Sequence, residues 1–135
     1  MESSKDLRWK QRFEAFEQSL VKLMPYQEEI FENELEEAGF IHFYEMAFDL
    51  ALQTLIEYLD AQGVTVETNR QAIQEAKDYP FISNHKMWLQ ALNRYNLTSY
   101  IHTEKVKNEV IRDIQGAYIS ELYAFYDTLK KDLTS

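Results

Sequence analysis

Cysteine is absent from the 135 residues, and glycine and proline are scarce, at three and two. Without thiols the chain can form no disulfide and no thiolate metal site. So few turn-forming residues favour long helices over the many short strands of a sandwich or barrel. Long apolar runs are also lacking, because the most apolar stretch, residues 46–56, is too short to span a bilayer and carries Asp49 and Gln53. We therefore expect a mostly helical chain with no membrane segment.

The N-terminus, MESSKDLRWKQR, has no apolar core of the kind that a secretory signal contains. The expected location is therefore the cytoplasm. A chain of this length can close one hydrophobic core, so residues 1–135 are expected to form a single domain.

The net charge of −9 is unevenly distributed along the chain. Residues 1–60 hold 5 Lys and Arg against 14 Asp and Glu, whereas residues 61–135 hold nine of each. Non-specific DNA binding usually needs a basic face, so we expect no DNA partner. A local cluster of Arg94, Lys105, Lys107 and Arg112 could still attract a phosphate group.

Apolar spacing predicts the first two helices. Ser3 or Ser4 can cap the first, and Pro25 is expected to kink it, with the apolar phase continuing through Gln27 and Ile30. The acidic run over 28–37 is interpreted as a solvated face and helix end. Gly39 is expected to mark the turn into a second helix over 40–62, which Gly63 closes. The predicted inner residues are Trp9, Phe13, Phe16, Leu20 and Leu23, then Ile41, Tyr44, Ala47, Phe48, Ala51, Leu52, Leu55, Tyr58 and Leu59.

Three further helices complete the prediction. Thr68 and Gln71 form a capping-box pattern for a short helix that ends near Lys77. Another helix begins near Ser83 or Asn84, and Thr103 caps the last one, which runs to about residue 131. Its predicted inner residues are Val106, Val110, Ile114, Ala117, Tyr118, Leu122, Phe125 and Leu129. The fold class is therefore all-α, an antiparallel up-and-down four-helix bundle with an additional short helix.

The stretch Asn93–Thr103, NRYNLTSYIHT, contains more polar chemistry than a helix junction requires. The candidate catalytic residues are Arg94 and His102, because a histidine near an arginine could act as an acid or base on a phosphate that the arginine binds. A lone histidine is more often a cap or a hydrogen-bonded boundary residue. The candidate substrate-binding residues are Arg94, Asn96, Ser99, Tyr100 and His102.

His42, Glu45 and Asp49 share one face of the second helix, at i, i+3 and i+7. Helical bundles build di-metal sites from carboxylates and Glu-x-x-His on facing helices. Here the order is reversed and no inward carboxylate partner is evident. A polar ridge or a surface row is the favoured interpretation, so we expect no metal site and no cofactor.

Three stretches resemble a known family. GFIHFYEMAFDLALQTLIEYLDAQG resembles the family pattern L-I-Q-R-F-E-x-x-F-E-L-A-W-K-T-L-x-x-Y-L. NRQAIQEA resembles P-R-x-V-I-R-E-A, and MWLQALNRYNLTSYIHTE resembles x-W-L-x-M-L-x-x-R-N-L-T-S-H-T-Y-D-E. The family is the nucleotidyltransferase substrate-binding proteins, within the larger HEPN group of helical domains. The resemblance extends from Trp9 to Leu129.

The resemblance implies a four-helix bundle, usually a homodimer, that pairs with a minimal nucleotidyltransferase subunit. In some relatives the pair is a toxin and antitoxin, and the HEPN subunit is a metal-independent ribonuclease. That activity uses an Arg-x(4–6)-His motif, and the partner can adenylylate a tyrosine two residues after the histidine.

This sequence departs from that motif. The family arginine falls at Tyr95, one place after Arg94, while the family histidine falls at Tyr100 and the family tyrosine at His102. A shift of one residue rotates a helical side chain by about 100°, and a general base must lie within hydrogen-bond reach of its proton. We therefore favour a non-catalytic subunit that binds a nucleotidyltransferase partner and a nucleotide substrate. The alternative is a HEPN-type ribonuclease toxin that acts on RNA, and a plain dimeric interaction protein is a third hypothesis.

Overall fold

The computed structural model describes residues 3–97 and 103–134, and within these ranges the chain is helical and contains no strand. The all-α prediction is therefore confirmed for these residues. The helices are α1 (Ser4–Leu23), α2 (Glu34–Ala61), α3 (Asn69–Glu75), α4 (His85–Leu97), α5 (Glu104–Asp113) and α6 (Ile119–Thr134). Short 3₁₀ turns follow α1 at Met24–Tyr26 and α3 at Ala76–Asp78, and a π-helical segment, Ile114–Tyr118, joins α5 to α6.

The predicted caps lie at the ends of their helices. The Ser3 hydroxyl accepts from the N–H of Asp6, the Thr68 hydroxyl from that of Gln71, and the Thr103 hydroxyl from that of Val106. Each cap satisfies a backbone donor that the first turn of a helix leaves unpaired. The sequence signals for these three helix starts are therefore confirmed.

Gly63 ends α2 as predicted. Its φ of 87° lies in the left-handed region, which a residue with a Cβ rarely adopts. Its N–H donates to the Asp60 carbonyl at 3.0 Å, and the N–H of Val64 donates to the Leu59 carbonyl at 2.8 Å. These two bonds form a Schellman motif, which pairs the last carbonyls of the helix.

Aromatic contacts bring the helices together. Trp9 of α1 meets Tyr58 near the end of α2, with ring centroids 5.0 Å apart, and Tyr26 after α1 meets Phe43 near the start of α2 at 6.3 Å. The two helices therefore run antiparallel. Phe125 of α6 contacts Phe16 of α1 at 5.6 Å and Trp88 of α4 at 5.3 Å. The core consequently includes side chains from α1, α2, α4 and α6.

Two boundary predictions around α2 were wrong. Pro25 does not kink a continuing helix, because α1 ends at Leu23 and Ile30 is 87% exposed in the following loop. Gly39 does not start α2, which begins five residues earlier at Glu34. The Asn33 side chain caps this start by accepting from the N–H of Glu36 at 2.9 Å. The acidic run therefore forms the loop and the first turn of α2, where carboxylates interact favourably with the helix dipole.

Two predicted core positions also differ. Val106 is 42% exposed, and Ile41 is only partly buried, whereas Phe40 is 2% exposed and belongs to the core. Because α2 starts at Glu34, Phe40 lies well inside the helix and not at its first position, and its ring contacts that of Phe31 at 4.9 Å. The other predicted inner residues of α1, α2 and the last helix are buried, apart from Ala117, which is partly buried.

No helix within the described residues combines the length and the apolar character needed to cross a membrane.

Candidate functional site

Arg94 lies in the last turn of α4. The Asn84 side chain caps this helix by accepting from the N–H of Met87 at 3.1 Å, and Trp88, Ala91 and Leu92 bury its inner face. This packing fixes the end of α4 and leaves Arg94 at the boundary, with its side chain 30% exposed.

The partner of Arg94 is Asp113 at the end of α5. The guanidinium Nη1 lies 2.7 Å from the Asp113 Oδ2, and both side chains are roughly 30% exposed. The two atoms are close enough for an ion pair, but their alignment does not make a hydrogen bond, so the attraction is between the opposite charges. The pair connects α4 to the last turn before the π-helical segment.

Sequence reasoning missed Asp113. Its pairing with Arg94 joins residues far apart in the chain. In addition, no spacing pattern in the sequence distinguishes Asp113 from the other acidic residues of the last predicted helix. The π-helical segment was also missed. There the N–H of Ile119 donates to the Ile114 carbonyl, five residues back. Such single-turn insertions occur frequently at functional sites.

The other predicted site residues are only partly covered by the structure. Asn96 belongs to α4, but its side chain lies outside the described part of the chain. Ser99, Tyr100 and His102 lie outside the described residues altogether. Their assignment as substrate-binding or catalytic residues therefore stays a prediction.

Two buried tyrosines are electrostatically coupled to Arg94. The rings of Tyr44 on α2 and Tyr118 in the π-helical segment stack at 5.9 Å, and the two residues are 2% and 3% exposed. Burial raises the pKa of both phenols, and the positive charge of Arg94 opposes that rise. Both hydroxyls are consequently protonated near neutral pH.

A small cavity of about 10 Å³ lies beside these two tyrosines. Its lining includes Tyr44, Tyr118, Trp88 and Glu121, and each has a buried polar atom without a hydrogen-bond partner among the described residues. A cavity of this size is at the lower limit for one water molecule. The site can therefore accept a single water here, but not an organic ligand.

The row on α2 is a polar ridge in the described structure. His42 is exposed, and Asp49 accepts from Gln53 Nε2 at 2.7 Å. Burial raises the pKa of Tyr95, and the charges of Asp49 and Glu45 with a hydrogen bond to Asp49 raise it further. Within the described residues no group of histidines and carboxylates is arranged to hold a metal ion.

The predicted cationic cluster is largely neutralised. Lys107 lies 3.0 Å from Glu37 and 2.9 Å from Glu104, and these carboxylates raise its pKa. Arg112 lies 3.6 Å from Asp113, the carboxylate that also pairs with Arg94. A phosphate that binds here must compete with Asp113 for these guanidinium groups.

Comparison with protein families gives a match over residues 11–131 to the family described as nucleotidyltransferase substrate binding protein like. The chain belongs to this family. The matched residues include Arg94, Asp113 and both buried tyrosines. A search of curated proteins finds no match.

Proposed function

We propose that this member of the nucleotidyltransferase substrate-binding family is the non-catalytic helical subunit of a two-component nucleotidyltransferase. It would bind the catalytic subunit and present a nucleotide-binding surface around Arg94. The observation that carries the proposal is the family match, which extends over residues 11–131 and therefore over the core as well as the candidate site.

The proposal includes the architecture and location expected from the sequence. The domain is an antiparallel up-and-down four-helix bundle of the HEPN type, and the contacts of α1 with α2 and of α6 with α1 and α4 support this arrangement. It acts as a homodimer in the cytoplasm, where nucleotide substrates are available. Light scattering at micromolar concentration tests the dimer, and a mass near the 16.1 kDa of one chain would contradict it.

The chemistry around Arg94 supports binding rather than catalysis. Among the described residues, its electrostatic partners are Asp113, which is held in the ion pair, and two tyrosines whose raised pKa keeps them protonated. A general base must be deprotonated and within reach of the proton that it removes. A carboxylate already engaged by a guanidinium is a poor candidate for that task.

Nucleotide binding can be tested on the ion pair itself. Titration calorimetry with nucleoside triphosphates should show weak binding by the wild type and weaker binding by Arg94→Ala. Asp113→Asn should bind more tightly, because it removes the carboxylate that competes with phosphate. Arg8→Ala is the matched control, since Arg8 is also an ion-paired arginine, 3.8 Å from Glu57, but lies on α1 outside the cationic cluster. Equal affinities for wild type and Arg94→Ala would remove Arg94 from the nucleotide site.

The alternative, a metal-independent ribonuclease of a toxin–antitoxin pair, predicts a different outcome. Purified wild-type protein and His102→Ala would be incubated with RNA in EDTA. We expect no cleavage by either protein. Cleavage by the wild type that disappears in His102→Ala would contradict the non-catalytic assignment.

A further inference from the structure

A cleft of about 410 Å³ lies between the segment after α1 and the first turns of α2. The rings of Phe31 and Phe40 lie 4.9 Å apart on this surface, and those of Tyr26 and Phe43 lie 6.3 Å apart. Gly39 adds no side chain, and a Cβ built there would meet no atom within 4 Å. We call this feature the acidic cleft; its lining residues are Tyr26, Glu29, Phe31, Glu36, Gly39, Phe40 and Phe43.

The loop beside the acidic cleft is fixed to the π-helical segment. The Gln115 side-chain amide donates to the carbonyls of Tyr26 and Glu29 at 3.1 and 2.8 Å. In return, Gln27 Nε2 donates to the Gln115 carbonyl at 3.4 Å and to the Ser120 hydroxyl at 3.2 Å. The cleft is therefore largely preformed, which lowers the entropic penalty of binding a partner.

Negative charge is concentrated at the acidic cleft. Residues 24–43 contain six glutamates and no lysine or arginine. Among the described residues, only Glu37 of these six forms an ion pair, with Lys107. Carboxylates beside aromatic faces favour a cation, because the ring quadrupole and the negative charges attract it together.

Two exposed aliphatic side chains lie next to this surface. Ile30 is 87% exposed and follows the lining residue Glu29 in the chain, and Leu35 is 83% exposed and precedes the lining residue Glu36. A single exposed aliphatic residue is common, but two beside an aromatic cleft make an apolar patch of the kind that marks protein interaction sites. The surface therefore offers apolar contacts around a negatively charged recess.

We propose that the acidic cleft, with Ile30 and Leu35, is the docking surface for a basic segment of a partner protein. An arginine or lysine of that segment enters the recess that the aromatic rings and the two glutamates line, and neighbouring apolar side chains cover Ile30 and Leu35. This inference rests on the proposed function, so the partner is the nucleotidyltransferase subunit. The charge disfavours nucleic acid and anionic membranes, and the exposed aliphatic residues are left unused by a free small cation.

The test measures the affinity of the full chain for the purified nucleotidyltransferase at two salt concentrations. The charge variant is Glu29→Gln with Glu36→Gln, in which the new amide oxygen at position 36 can still accept the hydrogen bond from the N–H of Glu32. Its matched control is Glu67→Gln with Glu75→Gln, two exposed glutamates far from the cleft in the chain.

The apolar part of the surface is tested separately by Ile30→Ser. Its control is Val21→Ser, which replaces an aliphatic residue that is 64% exposed on α1. Melting curves of all variants establish that each is folded.

We expect the charge variant and Ile30→Ser each to bind at least about tenfold more weakly, with both controls within about twofold of the wild type. The charge variant should also show a smaller salt dependence. If the wild type binds and all variants bind equally well, docking occurs elsewhere, and this inference fails while the proposed function stands. If the wild type does not bind, the proposed function fails and this inference fails with it. Arginine amide binding as tightly as the partner would instead identify a small-cation site and overturn the assignment to a protein partner.

Discussion

Phe48 packs α2 against α4, the helix that carries Arg94. It is 2% exposed, and its ring lies 5.9 Å from that of Trp88 and 5.6 Å from that of Tyr95, both on α4. Truncation to alanine removes these contacts and leaves a cavity, which costs about 3–5 kcal/mol of unfolding free energy for a buried phenylalanine. For a domain of this size that corresponds to a fall in Tm of roughly 10–20 °C.

The assay is urea denaturation with thermal melting of wild type, Phe48→Ala and the control Met46→Ala. Met46 is two residues earlier on the same helix and 44% exposed, so its truncation should change the unfolding free energy by less than about 1 kcal/mol. A Phe48→Ala variant no less stable than Met46→Ala would refute the reasoning. In that case Phe48 could not be a contact through which α2 positions α4.

Other predictions concern single interactions. In urea denaturation, Gly63→Ala should lower the unfolding free energy by about 1 kcal/mol, because the φ of Gly63 is 87°. Gly39→Ala should raise the unfolding free energy by about 0.5–1 kcal/mol, because Gly39 lies inside a helix with open space around its Cβ position. Tyr126 donates to Glu17, which raises the pKa of Tyr126 to about 12 and lowers that of Glu17. At pH 7 the unfolding free energy of Tyr126→Phe should therefore be about 1 kcal/mol below that of the wild type. This difference should shrink as the pH falls through the pKa of Glu17, because the carboxylate becomes protonated, and as the pH rises from about 10 to 12, because the phenol loses its proton. Tyr118→Phe should change stability by less than about 0.5 kcal/mol, since its hydroxyl is unpaired within the described residues; a loss above about 1 kcal/mol would indicate a bridging water.

The helices could be predicted because their signals are local. Ser3, Thr68 and Thr103 cap helices within a few residues of themselves, and Gly63 is needed where the backbone adopts a positive φ. The apolar spacing of α1 and α2 also identified most of their buried side chains. Such patterns are readable because one helical turn brings together residues three or four apart.

The errors occurred where the local signal was ambiguous. The apolar phase continued past Pro25 to Ile30, but proline removes a backbone donor and the loop places Ile30 in solvent. Gly39 resembled a helix boundary, yet Asn33 supplied the stronger cap. Periodicity alone does not distinguish a kinked helix from one that has ended.

The candidate site was less predictable because its contacts are non-local. Arg94 was identified from its polar surroundings, whereas its ion pair with Asp113 depends on how α4 and α5 pack. The acidic cleft likewise depends on Gln115, which comes from the π-helical segment and binds carbonyls of a loop far from it in the chain. No spacing rule in the sequence encodes these contacts.

The central claim is that this chain is the helical subunit that binds a nucleotidyltransferase. Its most direct test is co-expression with a minimal nucleotidyltransferase from the same genome, followed by size-exclusion chromatography with light scattering. We predict a single peak that contains both chains, with a mass above that of either protein alone. Two separate peaks, each with the mass of one protein by itself, would contradict the claim.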